Sequence, residues 1–104
     1  MIGIDVVSFP EFQRQMELGG ARFLSRAFGE SGAQNKDVEH LAGLWAAKEA
    51  VYKAAGIPTL QMADVVITHD ASGRSRATAK GQRFDISLSR TAQYVVATAM
   101  SIAP

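Results

Sequence analysis

The residues of this chain that could carry chemistry lie in three places. Asp5 is an acid inside an otherwise apolar, β-branched run over residues 2–7. A carboxylate in such a run points to solvent, pairs with a lysine, or is buried to hold a metal, because burying a bare charge is costly. Lys48, Glu49 and Lys53 form the second group. Glu49 and Lys53 stand at i and i+4, so they share a helix face, with Trp45 one turn earlier on the same line. Such a pair is either an exposed ion pair, contributing about 0.3–0.5 kcal/mol, or a carboxylate and a cation able to hold a metal-bound pyrophosphate. The third group is Asp70-Ala-Ser-Gly-Arg74 together with Ser87-Leu-Ser-Arg90. Each puts small residues and an arginine at a strand end. They read as plain turns with solvated arginines, or as loops that take a phosphate through backbone N–H groups and a guanidinium. His40 and His69 have no second histidine or cysteine at ligand spacing, which argues against zinc. His40 falls on the polar face of its helix, and His69 at a strand end.

These groups need elements to position them. Residues 2–7 read as a strand. Ser8 as N-cap and Pro10 in the first turn begin a short helix over 11–18, which Gly19-Gly20 breaks. A second short helix follows over 22–28, then a polar loop over 29–35. Asp37 caps the longest helix, over 38–55, whose apolar stripe includes Leu41, Leu44, Trp45 and Val51. Gly56 and Pro58 end it. Strands then follow over 65–68, 76–79, 84–89 and 94–102, with a turn at Asp70–Gly73 and a hairpin connection over 90–93. The expected fold is α+β, an antiparallel sheet packed on one long and two short helices, in a single domain over 1–104.

The chain has 104 residues, with 11 basic and 10 acidic side chains. A net charge so near zero argues against general affinity for nucleic acid or an anionic membrane. Arginines and lysines nevertheless gather at 14–26 and 74–90, so local anion sites are expected. No cysteine is present, which excludes disulfides and thiolate chemistry and fits a reducing, cytoplasmic setting. The apolar run over 94–102 is too short to span a membrane.

Taken in order, these pieces resemble the holo-acyl-carrier-protein synthase family. Gly3-Ile-Asp5 looks like its first-strand Gly-x-Asp. Leu41-Ala-Gly-Leu-Trp-Ala-Ala-Lys-Glu-Ala-Val-Tyr-Lys-Ala54 looks like its hallmark helix. The stretch over 65–73 resembles the following strand and glycine turn, Asp85-Ile-Ser-Leu-Ser89 its Ser-x-Ser strand, and 94–99 its closing strand. The resemblance implies the 4′-phosphopantetheinyl transferase-like fold and Mg²⁺-dependent transfer of phosphopantetheine from coenzyme A to a serine of an apo acyl carrier protein. It implies Asp5 and Glu49 as Mg²⁺ ligands, and Lys53 as a cation at the pyrophosphate or an aid to serine deprotonation. Lys48, Ser72, Gly73, Arg74, Ser89 and Arg90 are implied to bind coenzyme A. Arg22, Phe23 and Arg26 are implied to dock the carrier. A homotrimer with active sites between subunits is implied as well. The chain departs from the family pattern at Leu44, where arginine is usual, at Ser75, where proline is usual, and at Arg90, where histidine is usual. It is also shorter around 29–35 and after Gly56. The alternative expectation is a relative that binds coenzyme A or a carrier protein without transfer.

Overall fold

The computed structural model describes residues 1–32 and 37–103, apart from the side chains of 30–32. Five strands form one sheet: β1 (Ile2–Ser8), β2 (Val65–His69), β3 (Ser75–Ala79), β4 (Gln82–Arg90) and β5 (Tyr94–Ile102). Their order is β1-β5-β4-β3-β2, and every neighbouring pair is antiparallel. The last four strands are thus a meander, and β1 returns to pair with the final strand. The helices are α1 (Phe9–Gly32) and α2 (Val38–Ala55), with a short 3₁₀ turn (Met62–Asp64) before β2.

α1 has non-helical backbone at Gly20 (φ 58°, ψ −152°) and Gly29 (φ 73°, ψ 174°). Glycine reaches this positive-φ region without steric cost, so the two short helices expected from the sequence are two arms of one kinked element. A loop is expected over 29–35, but the helix resumes after the kink at Gly29 and runs to Gly32, and residues 33–36 lie outside the described residues. Both expected N-caps are present. Ser8 Oγ accepts from the Glu11 N–H at 3.3 Å, and Asp37 Oδ1 accepts from the Glu39 N–H at 3.1 Å. α2 ends at Gly56 in the left-handed conformation (φ 65°).

The core is a layer of alanines. Ala42, Ala46, Ala47, Ala50 and Ala54 of α2 and Ala97 and Ala99 of β5 are fully buried, with Phe84 and Val51 among them. Small side chains let helix and sheet approach closely, and the closest approach is at Gly3. A Cβ placed there would collide with the Ala50 carbonyl and stand 2.9 Å from the Ala54 nitrogen. Alternation along β1 then turns Asp5 and Val7 to the same side as Gly3. The opposite face carries Ile2, Ile4 and Val6, which are 69%, 57% and 59% exposed. Register continues that face onto β5, where Met100 pairs with Ile2 and Tyr94 with Ser8. The sheet therefore has one face under α2 and one uncovered face whose apolar side chains lie on β1 and β5.

α1 is held to α2 by aromatic rings. Phe23 meets Trp45 with ring centroids 5.3 Å apart, and Phe12 meets Phe23 at 6.0 Å, both edge to face. Such pairs add about 0.5–1.5 kcal/mol beyond their buried area.

Gly3→Ala should destabilise the fold by about 1–3 kcal/mol or more, because backbone cannot move aside as a side chain can. Gly43→Ala, within α2 and with open space around its Cα, should instead stabilise it by up to about 1 kcal/mol. Denaturant melts of the two variants test this. Equal effects would contradict the close β1–α2 contact.

Candidate active site

The Gly3 contact sets Asp5 against the C-terminal half of α2. Asp5 has 17% of its side chain exposed, and its Oδ1 lies 3.1 Å from Lys53 Nζ. The same ammonium donates to the Ile4 carbonyl at 2.9 Å. Lys53 therefore leans off the helix onto the backbone and carboxylate of β1. Glu49 stands one turn earlier on that line, half-buried. Burial pushes its carboxyl above the ordinary range, the Asp5 charge pushes it further, and Lys53 pulls it partly back. The two carboxylates sense each other, and a single ammonium faces both. This is an electron-rich pair of hard oxygens of the kind that suits a hard cation. Among the described residues no cluster of three or more histidine or acidic groups is arranged for a metal. An ion here would have two protein carboxylates and would fill its other positions from water or substrate, as Mg²⁺ does.

The remaining candidates fall elsewhere. Lys48 is buried, and its ammonium donates to the carbonyls of Met62 at 2.9 Å and Val65 at 2.6 Å. Lys48 thereby clamps the 3₁₀ turn and the start of β2 to α2, two of its donors directed at protein carbonyls. Burial lowers its pKa. Ser72, Gly73 and Arg74 form the β2–β3 turn. There Asp70 Oδ1 accepts from the Ser72 N–H at 2.9 Å and the Arg74 N–H at 3.0 Å. The Ser72 hydroxyl bonds to it too, and these bonds hold the Asp70 carboxyl below its usual range. The turn thus supplies its own anion. The Arg74 guanidinium is 3.2 Å from Asp85. This turn lies at the β2 edge of the sheet, four strand spacings or about 19 Å from β1.

Ser89 and Arg90 end β4, and Arg90 Nη1 pairs with Glu39 Oε1 at 3.2 Å. Nothing in the sequence marks Glu39 beyond its place in the first turn of α2. Arg22 and Arg26 are exposed on the second arm of α1, and neither makes an ion pair among the described residues. Phe23 and Arg26 line a cavity of about 360 Å³ with Trp45 and Met62. Nearby Leu18 is 83% exposed.

The fold has counterparts among known proteins. A sequence profile described as the 4′-phosphopantetheinyl transferase superfamily matches residues 1–99. The chain belongs to this superfamily. Within it, the holo-[acyl-carrier-protein] synthase of Verminephrobacter eiseniae is 32% identical, with 95% of this chain and 90% of the relative covered. That of Anaplasma marginale (strain St. Maries) is 34% identical, with 92% of each covered. The Helicobacter pylori holo-[acyl-carrier-protein] synthase, solved in complex with coenzyme A, superposes with a TM-score of 0.84 at 26% identity, covering 98% of this chain and 100% of that one. The chain is thus an enzyme of the holo-[acyl-carrier-protein] synthase type.

Glu49→Gln should raise the melting temperature of the metal-free protein at neutral pH. The Glu49 carboxyl is raised in the folded state, so the folded protein holds more protons than the unfolded chain between the ordinary and the raised value. Stability is full below that window and falls as pH rises through it. The amide removes the loss, and the two melting curves should converge near pH 4 and separate by pH 8. A variant that melts lower at neutral pH would contradict the uncompensated carboxylate pair.

Proposed function

We propose that this chain transfers 4′-phosphopantetheine from coenzyme A to a serine of an apo acyl carrier protein, releasing adenosine 3′,5′-bisphosphate. The observation that carries the proposal is the convergence of Asp5, Glu49 and Lys53 where β1 meets α2. Two adjacent carboxylates, one with a raised pKa, suit a small hard divalent ion, and we assign Asp5 and Glu49 as the ligands of Mg²⁺. When bound, that ion supplies positive charge to the pyrophosphate oxygens. Lys53 is free to exchange the Asp5 carboxylate for a phosphate oxygen, since its stem is about half exposed. Its ammonium then sits where charge grows on the departing phosphate. The carrier serine oxygen forms a bond to the phosphorus on the pantetheine side. The bond from that phosphorus to the bridging oxygen breaks, and the serine proton leaves to solvent.

The carrier partner is supported by the exposed α1 surface. Arg22 and Arg26 are free cations one turn apart, and Leu18 offers an apolar contact close by. Acidic helices with an apolar stripe complement such a surface, and rim charges of this kind act on encounter rate and orientation. A homotrimer with sites between subunits is supported by two observations. The apolar face formed by Ile2, Ile4, Val6 and Met100 is uncovered, and contiguous exposed patches of this kind mark interaction surfaces. The β2–β3 turn and the Asp5–Glu49 pair lie at opposite edges of one sheet, so a neighbouring copy could bring them together. We assign the reaction to fatty-acid synthesis in the cytoplasm. Among the described residues no helix is long and apolar enough to cross a membrane.

Intact-mass spectrometry of an apo carrier protein incubated with coenzyme A, Mg²⁺ and this chain tests the proposal. The carrier should gain the mass of one phosphopantetheine arm, and the gain should vanish in EDTA and in Asp5→Asn or Glu49→Gln. A gain that survives both substitutions would refute the assignment. No gain on any carrier, with coenzyme A still bound, would favour a binding protein without transfer. Arg22→Glu with Arg26→Glu should raise KM for the carrier about ten-fold or more and leave KM for coenzyme A unchanged.

A further inference from the structure

Among the described residues Lys48 is the one charged side chain that is buried, with 8% of its surface exposed. No carboxylate pairs with it among those residues. A buried ammonium without an anion is costly, and an apolar side chain of similar length would fill the same space at less cost. What the ammonium holds is backbone, the carbonyls of Met62 and Val65 at 2.9 and 2.6 Å. The 3₁₀ turn at Met62–Asp64 buries none of its own side chains, so no core packing fixes it from within. Lys48 ties it to α2 instead.

That turn is a wall of the cavity of about 360 Å³, where Gln61, Met62 and Ala63 stand with Phe23 and Arg26 of α1 and Trp45 of α2. Trp45 and Lys48, at i and i+3, are neighbours on one side of α2. Glu49 follows Lys48 in the chain, rotated by about 100° around the helix. A single turn of α2 thus carries the carboxylate that meets β1 and the ammonium that holds the approach to β2, and these two strands are opposite edges of the sheet. The reading above gives Phe23 and Arg26 to the carrier protein and Glu49 to the metal ion. A carrier seated against the cavity has to present its serine on the Glu49 side of the same helix, so the placement of the turn on α2 sets that reach.

Resting on that reading, we infer that Lys48 is a positioning residue for the carrier protein, which fixes the Gln61–Ala63 wall of the cavity on α2 and touches neither coenzyme A nor the metal ion. Its donors are spent on the wall, and its effect reaches the reaction through Met62 and the carrier that rests there.

The chain has a single tryptophan, and it lines this cavity, so Trp45 emission reports on the wall and its occupant. The test titrates that emission with an apo acyl carrier protein lacking tryptophan, alongside calorimetry with coenzyme A and steady-state transfer. Carrier binding should change the emission of the parent. Lys48→Met keeps the apolar stem and loses the ammonium. It should weaken carrier binding and raise the carrier KM by about ten-fold, the weight of hydrogen bonds to a charged group, while coenzyme A binds as it does to the parent. The chain has no cysteine, so Lys48→Cys alkylated with bromoethylamine while unfolded, then refolded, regains an amine at lysine length at position 48 alone. It should recover most of the lost carrier affinity. Met62→Ala trims the wall without removing the carbonyl that Lys48 holds, and it should weaken the carrier and not coenzyme A, whether or not Lys48→Met folds. Thermal melts establish which variants are folded at the assay temperature. Weakened coenzyme A binding in Lys48→Met would overturn this inference, and with an unchanged carrier affinity it would put Lys48 at the nucleotide. A parent whose Trp45 emission ignores the carrier, or a Met62→Ala protein with the parent's carrier affinity, would overturn it too. Each of these results leaves the transferase reading intact. A parent that transfers nothing to any carrier would overturn the transferase reading, and this inference with it.

Discussion

The backbone of β1 rests directly on the backbone of α2. Gly3 leaves no room for a side chain between its Cα and the Ala50 carbonyl, and the alanines at 46, 50 and 54 leave none on the helix side. Every feature of the site follows from that short distance. An edge strand brought this close places a carboxylate two residues on, at Asp5, within reach of a lysine on the helix. The same closeness half-buries Glu49 and exposes it to the Asp5 charge. A larger residue at position 3 would push the strand outward and separate the two halves of the site.

The contact also explains why the site is electrostatically unfinished. Among the described residues several other charges have partners within the fold. Asp85 takes Arg74 and Arg76 at 3.2 Å each, Asp70 takes the amides of its own turn, and Lys48 takes two carbonyls. Asp5 and Glu49 share one ammonium between two carboxylates. Functional sites commonly keep such frustration, because a group already satisfied by its neighbours has nothing left for a ligand. The ring-packed arm of α1 differs in another way. Its arginines, Arg22 and Arg26, stay exposed and make no ion pair among the described residues.

Much of this was legible in the residues. Tyr94–Ile102 alternates and is bounded by a turn, and it forms a strand with those limits. Asp37 and Gly56 are capping residues by their chemistry, and they bound α2. Asp5 and Glu49 are legible as candidate site residues only through the Gly-x-Asp and hallmark-helix patterns, since each alone also reads as a surface acid. What was not legible depended on long-range contact. Nothing local tells that Lys48 turns inward to Met62 and Val65 while Lys53, five residues on, turns to β1. Asp70 heads a turn in the sequence, but the turn's amides closing on its carboxylate depend on side-chain geometry. Glu39 gains meaning only when α2 meets the end of β4. That meeting also brings Leu44 and Arg90 to one cavity, although they are separate departures along the chain.

The claim on which the rest depends is that Asp5 and Glu49, held together by the β1–α2 contact, form one divalent-ion site that coenzyme A completes. Mn²⁺ binding followed by electron paramagnetic resonance tests it most directly. The expected result is one Mn²⁺ per chain, bound more tightly with coenzyme A present, and lost in Asp5→Asn and in Glu49→Gln separately. Unchanged Mn²⁺ binding in either variant, with the fold intact, would show that the two carboxylates do not form that site.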